Sequence, residues 1–140
     1  MRDRCPSSQF LCIAELRDHV LGFTRKSEKR GCGVADAIPA QGKNIWGVVY
    51  HINEIDRGRL DKAEGYAPGR KRNSYIRKER HVFANGDDDR PLLVSMYFAE
   101  QQSNPPLTNA EYKWLIVEGA KFWHLPEDYL VKLDQIRTQG

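Results

Sequence analysis

Three cysteines occur in 140 residues, at positions 5, 12 and 32, and no two of them form a close pair. An odd, widely spaced set does not build a disulfide framework, and a reducing cytosol is the compartment it fits. Zinc sites need paired ligand spacing, and neither the cysteines nor the scattered His19, His51, His81 and His124 have it, so no metal is expected. No apolar run reaches the roughly 20 residues of a bilayer helix, so no membrane partner is expected either. The opening "MRDRCPSSQF" carries charge but no apolar core and does not read as a secretory signal. Charge of one sign is not in excess: 22 Lys and Arg against 19 Asp and Glu give a net +3. That balance does not by itself indicate nucleic acid. Also missing are the Gly-x-Ser-x-Gly nucleophile elbow and a phosphate-cradling glycine loop with its lysine. The familiar nucleophilic, phosphoryl-transfer and metal chemistries have no carrier here.

What is present reads as strands first and helices later, which suggests an α+β domain rather than a repeating βαβ unit. "FLCIAELRDHVLGFTR" alternates imperfectly and suits one long bent strand or two short ones. "GCGVADAIPA" reads as a short strand leaving a turn and stopped by Pro39. "NIWGVVYHI", β-branched and aromatic, is the clearest strand, with Gly47 marking a bulge or a close approach. In "NEIDRGRLDKAEG", Asn53 can cap a helix, Asp56 suits its first turn, and Gly65 supplies a terminating left-handed position. "YIRKERHVFA" and "PLLVSMYFAE" flank an Asn-Gly turn and predict a hairpin whose first strand has an outward basic face. Thr108 and Glu111 have the spacing of a capping box. After it, Tyr112, Leu115, Ile116, Gly119 and Phe122 or Trp123 form an apolar stripe. "LPEDYLVKLDQIR" is a last helix with Pro126 in its first turn. No repeat, linker or domain boundary interrupts residues 1–140.

Two stretches carry candidate chemistry. "RKRNSYIRKER", from Arg70 to Arg80, is dense in Arg and Lys and could grip phosphates. No helix-turn-helix, zinc finger or RNA-binding aromatic motif accompanies it, so a solvated strand face plus loop is preferred and no nucleic-acid partner is expected. The second is "LDKAEG". Leu60 and Glu64 are one helical turn apart on one face, so Glu64 borders the core if Leu60 is in it. A helix C-terminus also carries partial negative charge. Desolvation and that dipole both raise a carboxyl pKa and would suit Glu64 to proton transfer near neutrality. The bland alternative is a helix-end glutamate in water.

"CPSSQFLCIAELRDHVLGF", "GVADAIPAQGKNIWGVVYHI", "LDKAEG" and "YKWLIVEGAKFWHLPEDYLVKL" follow one another in this order. Together they resemble the gamma-glutamylcyclotransferase (AIG2-like) family over nearly the whole chain, from about Arg4 to about Ile136. The resemblance implies a small, mostly antiparallel β-barrel flanked by helices, formed as one domain over residues 1–140. It implies release of 5-oxoproline from gamma-glutamyl peptides or amines, with Glu64 as the catalytic acid and base and no cofactor or metal. By the same resemblance Tyr112 contacts substrate, and Tyr75 lines the pocket. The only partner implied is the small-molecule gamma-glutamyl substrate. Family members carry an early strand that ends in a Tyr-Gly-Ser-Asn loop, and this sequence contains none. The chain is therefore expected to lack an N-terminal piece of the domain. Either its start is an internal methionine of a longer protein, or it is an impaired relative that binds gamma-glutamyl compounds or regulates.

Overall fold

The computed structural model describes residues 7–27, 30–63 and 75–139. In chain order the elements are β1 (Gln9–Ser27), β2 (Cys32–His51), α1 (Glu54–Ala63), β3 (Tyr75–Ala84), β4 (Pro91–Ala99), α2 (Ala110–Phe122) and α3 (Glu127–Asp134). The four strands form one antiparallel sheet in the order β2-β1-β3-β4. The fold is α+β.

β1 is one long bent strand, and β2 is its partner over the full length. The two readings of β2 as separate strands are corrected: Pro39 does not end it. Arg17 pairs with Asn44 but His19 pairs with Pro39, so residues 40–43 have only Asp18 opposite them. Proline is tolerated there because the ladder is already broken and β2 is an edge strand. Asp18 and Gly42 both take left-handed backbone (φ 59° and 79°), and the Gly42 N–H donates to Asp18 Oδ1 at 3.1 Å. Further register shifts at Phe10/Cys12 and Phe23/Arg25 add bends.

Bending gives the sheet an inner face. Ala14, Leu16, Ala37, Val82 and Phe98 are buried on it, with Ile45, Val49, Leu92, Val94 and Met96 packed against them. β2 and β4, the two outer strands, approach each other across this interior. On the outer side, Ala120 of α2 and Tyr129 and Leu133 of α3 form a second cluster with Leu125, covering Ile13, Leu21 and Trp46. Each large apolar side chain buried this way contributes about 1.5–3 kcal/mol.

The β3–β4 hairpin turns on Asn85 and Gly86, both left-handed (φ 53° and 74°), as the Asn-Gly pair predicts. Its strand β3 differs from the expected outward basic face. Lys78 and Arg80 lie over the Phe98 ring at 5.7 and 4.8 Å, while Arg77 points the other way and pairs with Asp61. Consecutive basic residues in a strand must alternate between faces.

α2 starts one residue later than a Thr108 cap would place it. Asn109 is the N-cap and accepts the Tyr112 N–H at 2.8 Å. Thr108 is fully buried and bridges Thr138 instead. The face α2 turns to the sheet carries Ile116, Val117 and Ala120. Leu115 and Phe122, assigned to the stripe, are exposed. Pro126 is the N-cap of α3, just ahead of its first turn.

Candidate active site

A cavity of about 510 Å³ opens between the two outer strands. Gly47–His51 of β2 with the adjoining Ile52, and Leu92–Tyr97 of β4, form its sides, and Ala14, Leu16, Ile45 and Val82 also line it. Consecutive residues of both strands line it because the cavity runs along their edges, where both faces are reached. Its size suits a small-molecule ligand.

The edge of β2 is treated differently in its two halves. In the first half, the Gly33 N–H donates to the Leu107 carbonyl at 3.1 Å and the Ala35 N–H donates to the Tyr112 hydroxyl oxygen at 3.1 Å. Gly33 is required for the close approach: a Cβ there would stand 2.2 Å from the Pro106 carbonyl oxygen. In the second half, from Gly47 onward, the edge borders the cavity.

Polar groups gather where α1 contributes to the lining. Arg57 and Leu60 of α1, Arg77 of β3, and Ser95 and Tyr97 of β4 reach the lining. Arg77 and Tyr97 are cross-strand partners and share a face of the hairpin. Behind them stands Asp61 of α1, which does not line the cavity. Its Oδ2 pairs with Arg77 Nη1 and its Oδ1 accepts from the Tyr97 hydroxyl. The pair is largely buried, with side-chain exposures of 21% for Arg77 and 14% for Asp61.

α1 is held mainly by polar contacts. Ile55 is exposed and Leu60 is half-buried. At its start, Asn53 Oδ1 accepts the Asp56 N–H at 2.8 Å, as the capping reading expects. Asp56 Oδ2 accepts the Ser7 N–H at 2.7 Å, and Ser7 Oγ accepts the Asn53 N–H at 3.1 Å. The Ser7 hydroxyl and then its backbone N–H hold the Asp56 carboxyl below its usual pKa. Burial opposes that shift, and Arg59 adds to it.

Of the residues singled out from the sequence, Glu64 lies outside the described residues, as do Gly65 and residues 70–74 of the basic run. Tyr75 begins β3, half-buried, on the same face as Arg77 two residues on. Tyr112 is carried elsewhere: its oxygen takes the Ala35 N–H, and its ring meets Phe23 edge-on at 6.3 Å. It is not among the cavity residues. Asp61, Arg77 and Tyr97 were missed as a group. One signal could have found them: Asp61 stands three residues before Glu64. The Arg77–Tyr97 pairing was not readable, because a two-residue Asn-Gly turn would set Arg77 opposite Val94. Among the described residues, no three His, Cys, Asp or Glu side chains group to hold a metal ion.

The model of the AIG2-like family matches residues 44–133, from the cavity half of β2 to the last turn of α3. The chain belongs to this family, whose curated relatives are gamma-glutamylcyclotransferases, an enzyme class. It is 33% identical over 140 residues to the gamma-glutamylcyclotransferase of Mus musculus and 32% identical over 137 residues to that of Homo sapiens. Both alignments cover 95% of this chain and 69% of the relative. A solved gamma-glutamyl cyclotransferase superposes with a TM-score of 0.86 at 28% identity, covering 99% of this chain and 80% of that one. The α+β fold and the antiparallel sheet flanked by helices are those of that structure.

Proposed function

We propose that this protein cyclises gamma-glutamyl groups, releasing 5-oxoproline and an amine. The observation that carries the reading is the cavity whose polar end is built on the helix that leads into "LDKAEG". In such a substrate the nucleophile is the substrate's own α-amine. Its nitrogen attacks the γ-carbonyl carbon, the new C–N bond closes a five-membered lactam, and the bond to the leaving nitrogen breaks. One proton leaves the α-ammonium and one is returned to the leaving nitrogen, so the step balances without a nucleophile from the protein. Intramolecular attack brings a high effective molarity once the chain is held curled. One carboxylate can serve both proton transfers, and Glu64 is assigned that role. The oxyanion needs donors, which backbone N–H groups can supply. Tyr75, in phase with Arg77 and Tyr97, is assigned to the substrate-bordering face. Tyr112, which the resemblance assigns to substrate, accepts the Ala35 N–H and is not among the residues lining this cavity.

The edges of Gly47–Ile52 and Leu92–Tyr97 also favour a further strand seated between them. Such a strand would satisfy backbone groups that are costly to leave unpaired, and would bring a substrate-presenting loop to the cavity. The test supplies gamma-glutamyl-alanine and related gamma-glutamyl amines, and measures 5-oxoproline. Turnover is expected, and Glu64→Gln should lower it by at least about 100-fold while leaving the chain folded. Absence of product from a chain extended upstream with the strand and glycine loop refutes the activity. Full turnover by Glu64→Gln refutes the residue assignment.

A further inference from the structure

Asp61 spends both carboxylate oxygens on two residues that line the cavity, yet does not line it itself. A carboxylate can only accept from Tyr97, so the phenol proton is directed away from the cavity and toward α1. The Tyr97 oxygen then acts toward the cavity as an acceptor. The same carboxylate balances Arg77, so the mouth presents an oriented guanidinium whose charge is already matched. On the reading that this cavity is a cyclotransferase site, we propose that Asp61 is a positioning residue. It fixes the last turn of α1 against the β3–β4 hairpin and sets the polarity of the Tyr97 hydroxyl, so that Tyr97 receives a hydrogen bond from the substrate's α-amine. An apolar residue at 61 would remove the carboxylate that accepts from Tyr97 and pairs with Arg77, and an amide would keep one acceptor oxygen without the charge.

Two measurements test this. The first is a double-mutant cycle on 5-oxoproline release with Asp61→Asn and Tyr97→Phe. Each change is expected to lower kcat on the order of 100-fold, with KM moving less. The double variant is expected to be no worse than the poorer single one, because residues acting as a unit are not additive. Unchanged kcat in Asp61→Asn, or losses that multiply, overturns the role. Asp61→Glu keeps the carboxylate and should recover part of the rate; should Asp61→Asn fail to fold, an Asp61→Glu rate no better than Tyr97→Phe overturns it. The second needs no turnover. In a Glu64→Gln background, calorimetry compares gamma-glutamyl-alanine with glutaryl-alanine, which lacks the α-amine. Adding Asp61→Asn should cut the preference for the amine-bearing ligand by about tenfold, the worth of one hydrogen bond to a charged group. An unchanged ratio overturns the proposal. A protein that binds with this preference but never turns over refutes the activity and leaves the role of Asp61 supported.

Discussion

Tyr129 gives the stability of this fold a definite alkaline signature. It is a buried residue of α3, 5% exposed, inside the cluster that holds α2 and α3 against the sheet. Burial pushes its phenol up to about 12 from an ordinary value of 10, and a backbone hydrogen bond with Trp46 pulls weakly the other way. A folded-state pKa above the unfolded one means that the stabilisation is complete below pH 10 and is lost as pH rises through 12. Two pKa units correspond to roughly 3 kcal/mol over the whole window, and roughly 1 kcal/mol of it is gone by pH 11. Tyr129→Phe removes the titration but also a buried hydrogen bond worth about 1 kcal/mol. The wild type should therefore be more stable at pH 8 by about that amount, and the two curves should meet near pH 11 and cross above it. Urea unfolding of both chains from pH 8 to 11.5 measures this, and titration of the other tyrosines and the lysines cancels in the difference. Curves that stay parallel to pH 11.5 refute the reasoning.

Asp36 is a buried carboxylate with its partners inside the fold: Thr24 Oγ1 donates to Oδ2 at 2.7 Å and the Ala99 N–H to Oδ1 at 3.0 Å. Asp36→Ala strands both donors and should cost about 3 kcal/mol, read as a drop in the urea midpoint with the slope unchanged. Asp56 makes the acid side equally specific. Its folded pKa is depressed, so its contribution is present above the ordinary carboxylate value and is lost as pH falls through the lower folded one. Ser7→Ala removes the largest cause, so the mutant should lose less stability than the wild type between pH 5 and pH 2 in acid titrations followed by circular dichroism.

The hairpin of β3 and β4 was legible as a hairpin, because Asn-Gly demands left-handed backbone at two successive residues. Its register was not: a two-residue turn would pair Ala84 with Asp87, whereas the strands pair Phe83 with Pro91 across a longer loop. The capped start of α1 was legible for the same kind of local reason. Tertiary choices were not. Pro39 reads as a stop because nothing local says that the ladder breaks opposite Asp18. Leu115 and Phe122 fit a helical stripe, yet the sheet meets α2 along Ile116, Val117 and Ala120, a rotation that periodicity alone does not fix. Thr108 and Glu111 match a capping box, but burial of Thr108 against Thr138 moved the cap to Asn109. At the site, Glu64 drew notice as an awkward carboxylate. Asp61 did not, since its meaning depends on Arg77 and Tyr97, which come from later in the chain.

The cavity explains why carboxylates tie this part of the fold together. A 510 Å³ space between β2 and β4 removes the side-chain packing that would otherwise join those strands. α1 cannot replace it, because its apolar contribution to the lining is Leu60. Beside the buried Ala37 and Phe98, the ties at this end are polar. Asp36 reaches from β2 to the Ala99 N–H, two residues past Tyr97, and Asp61 reaches from α1 to Tyr97 itself. The end of β4 is thus fixed from both sides by acceptors that need specific donor positions, whereas an apolar contact would tolerate sliding. Directional ties of this kind can hold a side chain within the few tenths of an ångström that chemistry on a bound substrate requires while leaving the space beside it open. It follows that changes at Asp36 and Asp61 should separate. The first acts on folding through buried donors, and the second acts on turnover through the orientation of one hydroxyl.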